Sequence, residues 1–164
     1  MKIKKLIFGF VVMLSFIGCG NTLPSIISKD TQYTEALRYT KKTTFDISLE
    51  EKALFIATYL NPLEKKGDGE YFFVRTFIDN DFEEAEKAGL HHPGVKITLN
   101  GKPPVQIREL KKEDILVKQM PFTQQWYRYY LVRFPKQKQS QLKFTISFDD
   151  YGQKVLLFLK PIEQ

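Results

Sequence analysis

From Leu142 to Phe148 the chain alternates apolar and polar side chains with a period of two. Leu142, Phe144, Ile146 and Phe148 fall on one side, Lys143, Thr145 and Ser147 on the other. A helix would scatter these positions around its axis, whereas an extended strand lines them up on one face. Asp149-Asp150-Tyr151-Gly152 has turn-forming composition, with Gly152 free to take positive φ. Lys154 to Lys160 then returns as an apolar strand stopped by Pro161. This hairpin predicts an antiparallel sheet with a buried face, and the rest of the chain has to pack against it.

Further strands are expected upstream. Gln125 to Phe134 is nearly continuous aromatic and aliphatic, broken by Arg128 and Arg133, as suits a central strand with both faces partly covered. Trp126 on that strand is expected to fill the core. Glu70 to Asn80 is rich in aromatic and β-branched residues. Val95, Ile97 and Leu99 alternate within Gly94 to Leu99 and lead into an Asn100-Gly101 turn. Val105 to Leu110 follows Pro103-Pro104, and Ile115 to Lys118 reads as a short extra strand.

Two stretches admit both readings. Ser48-Leu49-Glu50-Glu51 fits a capping box for a helix from Leu49 to Leu60. Against it, Phe45, Ile47 and Leu49 alternate, as do Leu54, Ile56, Thr58 and Leu60, so a hairpin is favoured here. Asp81 to Ala88 lacks alternation and has a capping residue before it and Gly89 after it, which predicts a short helix. About seven strands, with aromatics at 14%, point to an all-β fold. The expected architecture is an antiparallel, immunoglobulin-like β-sandwich with one short helix. The single cysteine excludes an intramolecular disulfide and a cysteine-built zinc site.

The chain start has a different logic. Met1 to Lys5 carries three lysines and no acid, and Leu6 to Ile17 is apolar apart from Gly9 and Ser15. As a helix, that run would rise about 18 Å, against a hydrocarbon core of about 30 Å. It fits a secretory signal better than a permanent span. Phe16-Ile17-Gly18-Cys19 resembles the lipobox of bacterial lipoproteins, with phenylalanine where leucine is usual. The resemblance implies cleavage between Gly18 and Cys19 and acylation of the Cys19 thiol. It also implies Gram-negative envelope residence: Gly20 is not the aspartate associated with inner-membrane retention, which favours the outer membrane facing the periplasm. The expected domains are a signal peptide (1–18), a lipidated cysteine and flexible tether (19–32) and a sandwich (33–164). The net charge of +6 includes the three leader lysines, so only +3 remains after cleavage. That is no nucleic-acid footprint, and no nucleic-acid partner is expected.

Candidate chemistry is sparse. His91-His92 is an adjacent pair whose side chains diverge on an extended chain, so it reads as loop and not as a metal site. Asp79-Asn80-Asp81 with Glu83, Glu84 and Glu86 is the densest acidic patch. An EF-hand counted from Asp79 would need glycine where Glu84 stands, and helix capping accounts for the acids. Asp149-Asp150 reads as a turn and not as a catalytic pair. No cofactor is expected. Trp126, Tyr127, Arg128, Tyr129 and Tyr130 form an aromatic-arginine cluster, a composition common in protein-contact and carbohydrate-stacking surfaces; rings that merely fill the two faces of a small sandwich would read the same way, and that reading is favoured.

The sequence therefore predicts a lipid-anchored, non-catalytic binding or structural module. Its partners would be the membrane, through the acylated cysteine, and another envelope protein, met by a sheet face or edge. The alternatives are a periplasmic hydrolase of an envelope polymer and a calcium or ligand carrier.

Overall fold

The computed structural model describes residues 33–64 and 67–161. Gly18 and Cys19, with the expected leader and tether, lie outside the described residues. Eight strands follow a helical turn at residues 33–38: β1 (Thr40–Ile47), β2 (Glu50–Tyr59), β3 (Glu70–Ile78), β4 (Val95–Leu99), β5 (Gln106–Leu110), β6 (Arg128–Phe134), β7 (Gln141–Phe148) and β8 (Gly152–Leu159). They form two antiparallel sheets, one in the order β1-β2-β3-β6-β5 and the other β4-β7-β8. Among the described residues no helix is long and apolar enough to cross a membrane.

The fold is all-β, and its core lies between the sheets. Inward-facing Phe55, Phe72, Val74, Tyr130, Val132 and Phe134 of the first sheet meet Ile97, Leu142, Phe144, Ile146 and Phe158 of the second. Phe72 is the hub. Its ring centroid lies 5.1 Å from Tyr59, 5.8 Å from Phe134, 5.0 Å from Phe144 and 5.2 Å from Phe158.

The predicted tail hairpin forms, with Asp150 and Gly152 both at positive φ in its turn. The contested stretch is strand from Glu50 to Tyr59, with the preceding turn at Ser48-Leu49. From Ala53 to Tyr59 every residue of β2 is buried, and its backbone pairs with β1 on one side and β3 on the other. A helix would expose half of those side chains.

Other expectations need correction. Asp81 to Ala88 forms no α-helix; two short 3₁₀ turns, Ala85–Lys87 and Gly89–His91, stand in the region. The Asp81 carboxylate accepts from Phe82 N at 2.9 Å and from Gly89 N at 2.8 Å, which folds the segment back on itself. Gly89 sits at φ +57, where an added Cβ would lie 2.2 Å from the Tyr130 hydroxyl. Tight apposition to Tyr130, rather than helix propensity, sets the path here. Ile115 to Lys118 is not a strand but part of a one-turn helix, α1 (Ile115–Gln119). Asp114 caps it, accepting from Leu116 N at 3.1 Å.

The central strand begins at Arg128, not Gln125, because its ladder with β3 ends at Arg128 opposite Thr76. Trp126 therefore stands before the strand and outside the core, 63% exposed. We predict that Trp126→Ala changes unfolding free energy by no more than about 0.5 kcal/mol, the usual range for exposed positions. Urea titration checks this. A core tryptophan would cost several times more.

The outward face of the first sheet is also covered. The segment from Lys111 to Tyr127 crosses it, and Val117 packs with Leu60, Phe73, Leu110 and Tyr129 into a second, smaller cluster. Beneath this cover lies Arg75 of β3, fully buried. Its guanidinium donates to the Pro121 carbonyl and to Thr58 Oγ1, and sits 4.9 Å from the Phe73 ring centroid. No acid pairs with it among the described residues, and burial lowers its pKa to about 10.

Burial acts in the opposite sense on the tyrosines. It raises the phenols of Tyr127, Tyr129, Tyr130 and Tyr59, the last raised further by its hydrogen bond to the Glu70 carboxylate. A phenol that holds its proton more tightly in the fold contributes stability that is complete below the unfolded value of about 10 and is lost as pH rises toward the folded one. Arg75, with a lowered value, gains stability over the same rise. Four phenols oppose one guanidinium, so the urea midpoint should fall between about pH 9 and about pH 11. The share of tyrosinate absorbance that these four phenols contribute should appear together with unfolding and not before it.

Candidate contact surfaces

Two surfaces stand out, and the nominated aromatic cluster is divided between surface and interior. Tyr130 points into the main core and Tyr129 into the smaller cluster, so both are buried. This corrects their placement on a contact surface; strand parity sends adjacent side chains to opposite faces, and both faces of β6 are covered. Trp126 remains exposed, with Tyr127 edge-on to it at 6.3 Å between ring centroids. Arg128 is held by Glu109 at 3.1 Å and by Asp81 at 3.6 Å.

Trp126, Tyr127 and Arg128 border a groove of about 590 Å³ where the chain beyond β5 parts from the chain entering β6. Lys111, Lys112 and Glu113 line the opposite side. The loop presenting Trp126 is pinned from behind. The Tyr129 hydroxyl donates to the Gln124 carbonyl at 2.6 Å and accepts from Gln124 N at 2.9 Å, while its ring stacks on Phe73.

The second surface is the outward face of the β4-β7-β8 sheet. β8 is an edge strand whose only ladder partner among the described residues is β7. Alternation places Leu156 and Phe158 in the core and turns Val155, Leu157 and Leu159 outward, 47%, 49% and 65% exposed. The register sets Val155 beside Thr145, Leu157 beside Lys143 and Leu159 beside Gln141. The apolar reading of Lys154 to Lys160 contained this row. Only the topology shows that, among the described residues, one of its two faces is left uncovered.

Some of the remaining candidates meet at one end of the sandwich, whereas His91, Asp81, Glu83, Glu84 and Glu86 do not line the cavity there. Asp79, Asp149, Asp150 and His92 line a cavity of about 350 Å³ together with Lys52. Asp79 is held by Lys52 at 3.1 Å. His92 Nδ1 accepts from Gly94 N at 3.0 Å, and its ring lies edge-on to Phe148. His91 packs edge-on against Tyr130. Both histidines thus have packing roles. Among the described residues no group of three or more His, Cys, Asp or Glu side chains is placed to hold a metal ion. Comparison with known protein families, curated proteins and solved structures gives no match.

Proposed function

We propose that this chain is a lipid-anchored module of the bacterial cell envelope that binds another envelope protein through its three-stranded sheet and performs no chemistry of its own. One observation carries the reading: the two outward faces are treated differently. The five-stranded sheet is covered by its own chain, while among the described residues nothing crosses the outward face of the three-stranded sheet, which ends in an edge strand with an outward apolar row. Exposed edges of that kind are usually blunted or covered, and they are a recurrent site of strand addition.

The finer fold reading, immunoglobulin-like, is supported by strand order. β2-β3-β6-β5 against β4-β7-β8 follows the A-B-E-D and C-F-G order of constant-type domains, with β1 as an added edge strand. The anchor rests on the resemblance of Phe16 to Cys19 to a lipobox, with Gly18 and Cys19 flanking the cleavage point. Two acyl chains would hold such a module stably where one is marginal. The tether would let the domain reach partners on the periplasmic face of the outer membrane.

Two measurements test this. Cys19→Ser should abolish the acyl mass increment and release the protein from the membrane fraction; an unreplaced protein free of acyl chains sinks the anchoring. A photo-crosslinking residue at position 157, in otherwise intact full-length protein, should yield one discrete adduct in envelope preparations. The same residue at position 49, on the β1–β2 turn, should not. Absence of an adduct at position 157 counts against the binding surface.

A further inference from the structure

Trp126 is the only tryptophan of the chain, and filling the core does not account for it. It stands on a tight turn in which Tyr127 N donates back to the Gln124 carbonyl at 3.4 Å. The Tyr129 hydroxyl clamps the base of that turn, so the backbone carrying the indole is fixed before anything binds. The Tyr127 ring meets the indole nearly at a right angle, at 84°. Around these two rings the groove is lined by charges of both signs. Arg128 and Glu109 hold each other at 3.1 Å, while Lys111, Lys112 and Glu113 are exposed and make no ion pair among the described residues. Gln125 adds an amide that can both donate and accept.

We propose that this groove binds an uncharged oligosaccharide, with the C–H face of one sugar ring stacked on Trp126. A pyranose of glucose configuration carries hydroxyls around its rim and C–H groups on its faces, which matches an aromatic wall bordered by donors and acceptors. A hydroxyl donates one hydrogen bond and accepts others, so ammonium, guanidinium, carboxylate and amide groups can satisfy it from both sides. The mixed lining also decides the occupant. An acidic ligand would be brought against Glu109 and Glu113, and a basic one against Lys111, Lys112 and Arg128. A hydrocarbon or largely apolar surface would strip water from all five. The volume of about 590 Å³ lies within the range of about 300–1,000 Å³ for small-ligand clefts. The groove is built by the chain beyond β5 and the chain entering β6, away from the three-stranded sheet, so this site and the protein-binding reading stand or fall separately.

The probes are cellotetraose and tetra-N-acetylchitotetraose, titrated into the full-length protein in a detergent without a sugar headgroup. Because the chain has one indole, its emission reports the site directly. We expect at least one of the two saccharides to move the Trp126 emission to shorter wavelength and to shield it from acrylamide quenching. Mannitol, which has the hydroxyls but no ring face, should do neither. By calorimetry, Trp126→Ala should weaken binding at least about tenfold, as truncation of an anchoring aromatic does, and Trp126→Phe should restore part of the loss. The exposure of the side chain keeps both variants folded. Affinity should change less than about twofold between about 0.01 M and about 0.15 M salt, a range over which screening weakens charged ligands. No response to either saccharide overturns the proposal, as does an equal response to mannitol or full affinity in Trp126→Ala. Tighter binding of tetragalacturonate than of the neutral saccharides, or binding that collapses with salt, would overturn it in favour of an anionic ligand.

Discussion

Replacing Glu70 by alanine should lower unfolding free energy by about 3–5 kcal/mol, the range for stripping one member from a buried ion pair. Glu70 opens β3 and is 1% exposed. Its Oε2 accepts from the Tyr59 hydroxyl at 2.6 Å at the end of β2, and its Oε1 accepts from Gln137 N at 2.9 Å beyond β6. The ammonium of Lys160, just past β8, also reaches Oε1 and the Gln137 carbonyl. One carboxylate therefore joins the end of the first sheet to the end of the second. Alanine would leave a phenol, a backbone amide and a partly buried ammonium without their common acceptor. Glu70→Gln should cost less, because an amide oxygen still accepts from Tyr59 or Gln137 while the charge on Lys160 goes unanswered. Lys160→Met should cost least, since the ammonium is partly in water and the carboxylate keeps two donors. Urea titrations of the three variants check the order. If Glu70→Ala proves no worse than Lys160→Met, the carboxylate is not the joint described.

None of this network was legible in the sequence. Glu70 heads a run of β-forming residues and looks there like a polar strand end, and the loop residue Gln137 gives no signal at all. Buried charges become visible only when topology brings the ends of distant elements together, as it does here over ninety residues between Glu70 and Lys160. Arg75 is a similar case. In a strand with one solvated face, an arginine between Val74 and Thr76 would point to water. It is buried because the β5–β6 connection crosses that face, and this cover is a one-turn helix and loop too short to announce itself by periodicity.

What could be read was whatever a single buried face imposes locally. The β7–β8 hairpin follows from strict alternation around a turn containing Gly152. β2 followed from alternation against a competing capping box; its backbone pairing on both sides explains why the cap had no helix to start. The aromatic run near Trp126 misled for a definable reason. Position 126 has the same parity as Tyr130, Val132 and Phe134, all core residues, so a strand continued backward would have buried the tryptophan. The ladder stops at Arg128, and parity no longer applies beyond it. The outward row of β8 shows the converse limit. The sequence displayed Val155, Leu157 and Leu159 plainly, but an apolar strand reads the same whether its second face meets protein or water. Covering depends on which strands the chain places at the edge, and strand order is a long-range property.

The largest loss from a single side chain in the core is expected at Phe72. It stands in the middle of the first sheet and is fully buried, and its ring touches four other aromatic rings drawn from β2, β6, β7 and β8. Three of the four contacts lie within 5.2 Å between centroids, at the close end of the range for aromatic pairs. Phe72→Ala removes the apolar transfer term and opens a cavity whose walls are rigid rings on two separate sheets. Such walls collapse poorly, so the cost should fall at about 3–5 kcal/mol, toward the upper part of that range. Phe72→Leu retains more of the volume but loses the edge-to-face geometry, and should cost clearly less. Phe77, on the same strand but outside both buried clusters, supplies the comparison, since Phe77→Ala empties no enclosed space. Equal losses at positions 72 and 77 would mean that the sandwich interior is not organised around the Phe72 ring, and that the two sheets are held together chiefly at their ends by the Glu70 network.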